Sequence, residues 1–246
     1  MSAYDALAGA YDALTYDVPY ETILQFWEAV LNEEGKAPET VLDLACGTGS
    51  LSVLLAKKGL QVLGSDISEE MLTEAAGKAA ECDAQPFFIC QSMQSLRLPY
   101  PVDWIVSCLD SINYLTDPRD CRETFRRCYE SLTPGGIFTF DVHAPQKLRA
   151  MDGQVWLDEN EDTYCVWRTE FDEGENICYY GVDLFTRAGK RWDRAFEEHR
   201  QYAYTPEELM RYLQEAGFTG IRLFGDMTME APGEKTQRIL ISAIKE

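Results

Sequence analysis

Positive charge is scarce in this 246-residue chain: 22 Lys and Arg stand against 42 Asp and Glu, leaving a net charge of −20 at pH 7. A surface of that sign repels phosphate backbones, and nucleic-acid binders carry a basic footprint. DNA and RNA are therefore disfavoured as partners. Imidazole is scarcer still, with only His143 and His199, far apart in sequence. The eight cysteines (Cys46, Cys82, Cys90, Cys108, Cys121, Cys128, Cys165 and Cys178) contain no C-x-x-C pair. Zinc-ligand spacing is missing, and no metal is expected. Cys90 and Cys108 fall in apolar strand segments, so the expectation is reduced core thiols in a cytoplasmic protein. No apolar run approaches the ~20 residues that a membrane span needs. The start, Met-Ser-Ala-Tyr-Asp, has no basic segment leading into an apolar core. Neither a membrane segment nor a secretory leader is expected.

What is present is an ordinary globular balance, 46% hydrophobic and 26% charged residues, which excludes wholesale disorder. Residues 18–34 place Ile23, Leu24, Phe26, Trp27, Val30 and Leu31 at helical spacing, before Gly35 and Pro38 break it. Strands are expected at 40–45, 61–67, 86–90, 102–109 and 137–142. Helices fall between them at about 50–58, from the Ser68 cap to about 81, and at about 117–132, the last stopped by Pro134-Gly135-Gly136. Strand–helix alternation of this kind means a parallel sheet with right-handed crossovers. Residues 151–204 break the rhythm. Tyr164–Phe171 and Ile177–Phe185 are rich in aromatic and β-branched residues, with hairpin turns at 172–174 and 188–190, so an inserted antiparallel meander is expected. Thr205-Pro206-Glu207-Glu208 is a capping box opening a helix to about Ala216. Segments 221–224 and 238–244 are too close for a crossover helix and should pair antiparallel.

The chemistry concentrates at Val41-Leu42-Asp43-Leu44-Ala45-Cys46-Gly47-Thr48-Gly49-Ser50. An apolar strand runs into a glycine turn and then a helix whose N-terminus presents free N–H groups. Gly47 and Gly49 allow positive φ and close approach of backbone to ligand. Asp66 ends the next strand facing the same crevice, where a carboxylate suits a ribose diol. A nucleoside is expected across these strand ends. Gly47-Thr48-Gly49-Ser50-Leu51-Ser52 lacks the third glycine of a dinucleotide fingerprint, and no Gly-Lys-Ser/Thr follows to make a P-loop.

Three segments together resemble the class I S-adenosylmethionine-dependent methyltransferases: Leu42–Gly49, Gly64–Leu72 and Leu132–Gly136. Within them, the chain is similar to small bacterial methyltransferases of unassigned substrate and to sugar-amine N-methyltransferases with a comparable β insertion. The resemblance implies an α/β fold: a Rossmann-like seven-stranded sheet, mostly parallel, with an antiparallel C-terminal hairpin and an inserted antiparallel β meander. Residues 1–150 and 205–246 would form the cofactor-binding core, and 151–204 a β-rich insertion covering the acceptor site. S-adenosyl-L-methionine is the implied cofactor and S-adenosyl-L-homocysteine its product. Gly47 and Gly49 would pass beneath the methionine moiety, with Ala45 and Cys46 lining it. Asp66 would hold the ribose hydroxyls, Ile67 would pack on the adenine, and Met71 belongs to the same set. Ser92 and Met93 stand where the family usually has an acidic contact to the adenine. Cys108, Leu109 and Asp110 would end the fourth strand beside the methyl group. Tyr11 would close over the cofactor with help from Tyr20. Asp43 either bonds the loop backbone or touches the cofactor directly.

Methyl transfer asks mainly for alignment and exclusion of water, with a base only when the nucleophile arrives protonated. Asp110 and His143 are the catalytic candidates, with Asn113 and Tyr114 beside them. Trp156, Trp167, Tyr179, Tyr180 and Trp192 either line the acceptor pocket or form the insertion's own core. The expected partner is a small-molecule acceptor with an N or O nucleophile, and the expected assembly a monomer or homodimer. Competing readings are a protein or RNA acceptor, a NAD-dependent oxidoreductase, and a non-catalytic cofactor-binding module.

Overall fold

A computed structural model describes residues 11–12, 16–82 and 84–246. Its elements run α1 (Tyr20–Glu33), β1 (Thr40–Leu44), α2 (Ser50–Lys57), β2 (Gln61–Asp66), α3 (Glu69–Glu81), β3 (Phe87–Cys90), β4 (Val102–Ser107), α4 (Pro118–Ser131), β5 (Leu132–His143), α5 (Pro145–Ala150), β6 (Val155–Glu159), β7 (Thr163–Asp172), β8 (Ile177–Ala188), β9 (Arg191–Tyr202), α6 (Pro206–Ala216), β10 (Thr219–Gly225) and β11 (Arg238–Ile244). Seven strands form one sheet in the order β10-β11-β5-β4-β1-β2-β3, and β6-β7-β8-β9 form a second. In the first, β11 alone runs against its neighbours, antiparallel to both β10 and β5. The second sheet is antiparallel throughout.

The central strands are buried on both faces, as parallel strands flanked by helices must be. Val41 packs with Trp27 and Val30 of α1 and Leu55 of α2 on one side. Leu42 and Leu44 pack with Phe125 of α4 and Leu209 and Leu213 of α6 on the other. Helix starts follow the expected chemistry. Ser68 accepts from Met71 N, and Thr205 with Glu208 completes a capping box, filling donors that the first helical turn leaves open.

Three features depart from expectation. Pro134-Gly135-Gly136 lies inside β5, because Gly135 N–H donates to Lys245 O at 2.7 Å and Lys245 N–H to Gly136 O at 2.9 Å. A pattern that reads as a turn is kept in the ladder by a partner more than a hundred residues away. Helix α5 and strand β6 were not anticipated; both are short and find their apolar partners only in tertiary contacts, Leu148 and Trp156 packing on Phe171 and Tyr180. Cys90 is exposed because β3 is an edge strand, whereas Cys108 is buried as expected. All eight cysteines are free. Among the described residues, no helix is long and apolar enough to cross a membrane.

Candidate active site

The strand order reverses between β1 and β4, and open α/β sheets bind ligands in the crevice beyond the strand ends at such a point. A cavity of about 350 Å³ lies there, within the range of small-ligand pockets. Its floor is the loop after β1. Ala45 has a φ of 59° and Gly47 of 53°, which turns the chain sharply out of the strand. Cys46 N–H remains bonded to Ser65 O of β2 at 3.0 Å. Gly49 caps α2 at a φ of 73°, and a Cβ there would lie 2.9 Å from Ala75 Cβ. That glycine is required twice, by conformation and by the packing of α2 on α3.

Asp66 closes the loop from the β2 side. Its two oxygens accept from Gly47 N at 2.9 Å and Ser68 N at 3.0 Å. Each oxygen keeps further acceptor capacity at the cavity wall. Burial raises its pKa, against the lowering effect of the Ser68, Gly47 and Ile67 N–H groups. Asp43 is 2% exposed, and its carboxylate accepts from Ser52 Oγ at 2.6 Å. Burial outweighs that hydrogen bond and pushes its pKa up to about 7. Asp12 accepts from Thr48 Oγ1 at 2.7 Å and pairs with Lys78 at 2.6 Å, which ties the segment carrying Tyr11 to the glycine loop.

The cavity brings together Tyr11, Tyr20, Asp43, Ala45, Cys46, Gly47, Asp66, Ile67, Met71, Ser92, Met93, Cys108 and Leu109. Ile67 is 58% exposed, an apolar surface that a planar base can cover. Gly49 and Asp110 do not line it; Gly49 lies behind the loop against α3. Gln91, Ser111 and Leu115 line it without having been singled out. Gln91 directly precedes the Ser92-Met93 pair, so the signal was one residue away. Its Oε1 accepts from Arg97 N at 3.1 Å, while its Nε2 is buried with no partner among the described residues. A buried unsatisfied donor is costly, and a ligand acceptor at this wall would relieve it. Ser111 and Leu115 arrive on a 3-10 turn, Ser111–Tyr114, which no periodicity announces.

The candidate bases are differently employed. Asp110 accepts from Gln201 Nε2 at 2.6 Å and from Arg238 Nη2 at 2.9 Å. Burial pushes its pKa up, while the Arg238 guanidinium and the Gln201 amide act the other way and hold the carboxyl below its ordinary range; a protonated His143 would lower it further. His143 Nδ1 meets Gln201 Oε1 at 3.1 Å, and Nε2 meets Lys147 Nζ at 2.7 Å and Arg238 Nη2 at 2.9 Å. The carbonyl oxygen suits an Nδ1–H donor and the two cations suit an Nε2 lone pair, which favours the neutral Nδ1–H tautomer, while Asp110 Oδ1 lies 3.4 Å from the same Nε2. Burial lowers its pKa in agreement. Neither side chain lines the cavity, and the proton-accepting positions of both are occupied. Asn113 is held too, accepting from His143 N at 3.0 Å and donating to Tyr202 O at 2.9 Å.

Of the four acid–base candidates, Tyr114 is the one on the cavity wall. The ring of His199, from β9, packs edge-on against it at 5.9 Å, and His199 Nε2 lies 3.2 Å from Glu197 Oε2. None of the five candidate aromatics, Trp156, Trp167, Tyr179, Tyr180 and Trp192, lines the cavity. Trp156 and Trp167 stack on each other at 5.9 Å, Tyr180 packs with Phe171 and Leu148, and Trp192 is 45% exposed. Among the described residues, no cluster of three His, Cys, Asp or Glu side chains could hold a metal ion.

A profile of the methyltransferase domain matches residues 41–136, the span from β1 to Gly136. The chain is 35% identical to YqeM of Bacillus subtilis, named as a methyltransferase, over 98% of this chain and 97% of that one. A crystal structure of an S-adenosylmethionine-dependent methyltransferase from Clostridium acetobutylicum superposes with a TM-score of 0.88 at 28% identity, covering 98% of each chain. The sugar N-methyltransferase KedS8 from Streptoalloteichus has the same fold, with a TM-score of 0.79 at 17% identity over 96% of this chain and 92% of that one.

Proposed function

The chain belongs to the S-adenosylmethionine-dependent methyltransferases, and from that premise we propose that it methylates a nitrogen or oxygen nucleophile of a small-molecule acceptor. The cofactor fits the residues present. Two carboxylates at the cavity wall, Asp43 and Asp66, suit a cation and a ribose diol. Ile67 offers an apolar face to the base, and the Gln91 Nε2 donor lacks a partner. When bound, S-adenosylmethionine supplies a methyl group on a sulfonium, ready for in-line displacement.

The protein's own residues supply alignment. Asp66 holds the ribose while the Gly47 and Ser68 amides fix its carboxylate. The Ala45–Gly47 turn brings backbone close beneath the methionine portion. Leu109 and Tyr114 form the wall where the acceptor meets the methyl, and Tyr11 and Tyr20 close the other side against water. The observation carrying the small-molecule reading is the position of β9, whose His199 backs Tyr114 and whose Tyr202 holds Asn113. In this reading the insertion, residues 151–204, shapes the acceptor site from behind the Tyr114 wall, although none of its residues lines the cavity. A pocket of about 350 Å³ admits a small nucleophile more readily than a loop of protein or RNA. The structural likeness to KedS8 supports the same direction.

Calorimetric titration with S-adenosylhomocysteine tests the cofactor site. The expected outcome is micromolar binding that Asp66→Ala weakens by about 1–3 kcal/mol, the cost of losing a buried hydrogen-bond partner. Equal affinity in the two proteins would remove Asp66 from the site. An acceptor screen by product mass then tests the small-molecule reading, which methylation of proteins alone would sink.

A further inference from the structure

Leu109 and Asp110 follow β4 with φ of 59° and 55°. Two consecutive side chains in the left-handed region are disfavoured, and such a turn persists only where its surroundings over-determine it. Here the surroundings do so. Asp141 of β5 places one oxygen on Leu109 N at 2.9 Å and the other on Asp110 N at 3.0 Å. Its side chain is only 4% exposed. Arg238, the first residue of β11, spans both carboxylates: Nη1 donates to Asp141 Oδ2 and Nη2 to Asp110 Oδ1 at 2.9 Å. The planar guanidinium is the side chain whose fork matches such a double task. From the second sheet, Gln201 donates to Asp110 Oδ2 at 2.6 Å. Gln201 Oε1 in turn accepts from Tyr180 Oη at 3.0 Å and the His143 Nδ1–H at 3.1 Å.

The turn so held is part of the cavity: Leu109 and Ser111, on either side of Asp110, both line it. We infer that Asp141, Arg238 and Gln201 form a clamp that sets the Leu109–Ser111 wall of the cofactor cavity, making Arg238 and Gln201 positioning residues for methyl transfer. The inference rests on the cavity being the cofactor site. It gives the insertion a second task, because Gln201 carries the position of β9 directly to the cofactor wall. It also explains why Asp110, in the turn after β4, does not line the cavity: its carboxylate is the handle by which the clamp grips the turn.

The test compares wild type, Arg238→Lys and Gln201→Leu. Lys keeps the positive charge but cannot span two carboxylates with one planar group, and Gln201→Leu leaves every ion pair of the cluster intact. Each protein is titrated with S-adenosylhomocysteine, and amide hydrogen exchange is read at Leu109 and Asp110. The expected result for Arg238→Lys is affinity lower by about tenfold, the scale of a lost charge-assisted hydrogen bond. Faster exchange at those two amides should accompany it, with the amides of Val41–Leu44 unchanged. Gln201→Leu should move both readouts the same way by less. Affinities within twofold of wild type together with unchanged exchange at Leu109 and Asp110 would overturn the clamp. If wild type itself fails to bind S-adenosylhomocysteine, the cofactor reading falls, and the exchange data alone decide whether the clamp exists.

Discussion

Asp43, on β1, and Asp110, in the turn after β4, are two carboxylates withdrawn from solvent that have resolved the cost of burial in opposite ways. Asp43 has one side-chain hydroxyl to help it, that of Ser52, and keeps a pKa of about 7. Asp110 has a guanidinium and an amide donor, which hold it below the ordinary carboxylate range. For Asp43 the linkage follows directly. The folded protein retains the proton between the ordinary carboxylate pKa and about 7, so this residue's favourable contribution is present at pH 4 and is lost as pH rises to about 7. Replacing it by Asn removes the ionisation. The Asp43→Asn protein should therefore gain stability over wild type as pH climbs from 5 to 8. The gain over that interval is about 2–3 kcal/mol, because only the two pH units between 5 and the folded pKa of about 7 contribute. Urea denaturation of the ligand-free proteins at both pH values reads the difference, and a gap that does not grow with pH would show Asp43 ionised throughout. Asp66, Gly47 and Gly49 were legible in the sequence because strand, turn and helix leave a local pattern. Gln91 and the employment of Asp110 were not, because each depends on a donor or acceptor brought from another segment.

Helix α6 shows how far local chemistry carries an element. Thr205 accepts from Glu208 N, and Glu208 reaches back to Thr205 N at 3.0 Å. Proline occupies the first turn, and Gly217 ends the helix at a φ of 104°. All of these signals lie within thirteen residues, which is why the helix was readable. Thr205→Ala should cost about 1 kcal/mol of stability, seen as a lower urea midpoint with an unchanged slope. Affinity for S-adenosylhomocysteine should stay as in wild type, since no residue of α6 lines the cavity. Strand β5 is the opposite case. Its Thr133–Gly136 segment has the composition of a turn, and the distant Lys245 backbone keeps it in the sheet. Strand β6 likewise has little pattern of its own; its place comes from ten-residue β7, with which it pairs from Val155 to Glu159.

At the scale of the molecule, a net charge of −20 acts on every element at once. The cationic side chains are largely consumed in pairs, such as Arg126 and Arg127 with Glu123, or Arg222 with Glu33 and Glu34. The excess carboxylates repel one another, and repulsion between exposed charges is screened beyond about 10 Å at 0.1 M salt. Thermal denaturation should therefore shift upward by a few degrees between 10 mM and 300 mM sodium chloride. A downward shift would mean that the surface pairs outweigh the repulsion. The two sheets meet at the 3-10 turn Ser111–Tyr114, where Tyr202 and His199 of β9 reach Asn113 and Tyr114. That junction joins the parallel core to the insertion and stands at the edge of the cavity, which Tyr114 lines.

The sequence by itself determined the class of fold and the strand ends at which the cavity opens. Apolar runs alternating with capped helices leave one economical arrangement, a parallel sheet, and the first glycine turn after an apolar strand marks its ligand crevice. These are local signals, carried by neighbours in the chain. The tertiary structure alone decided what faces that crevice. Asp141 and Arg238 stand 97 residues apart, and Asp110 and Gln201 stand 91 apart. No periodicity links such positions, because their pairing is set by which strands become neighbours in the sheets. The strained Leu109–Asp110 turn, the neutral ring of His143 and the approach of β9 to Tyr114 all follow from that neighbourhood.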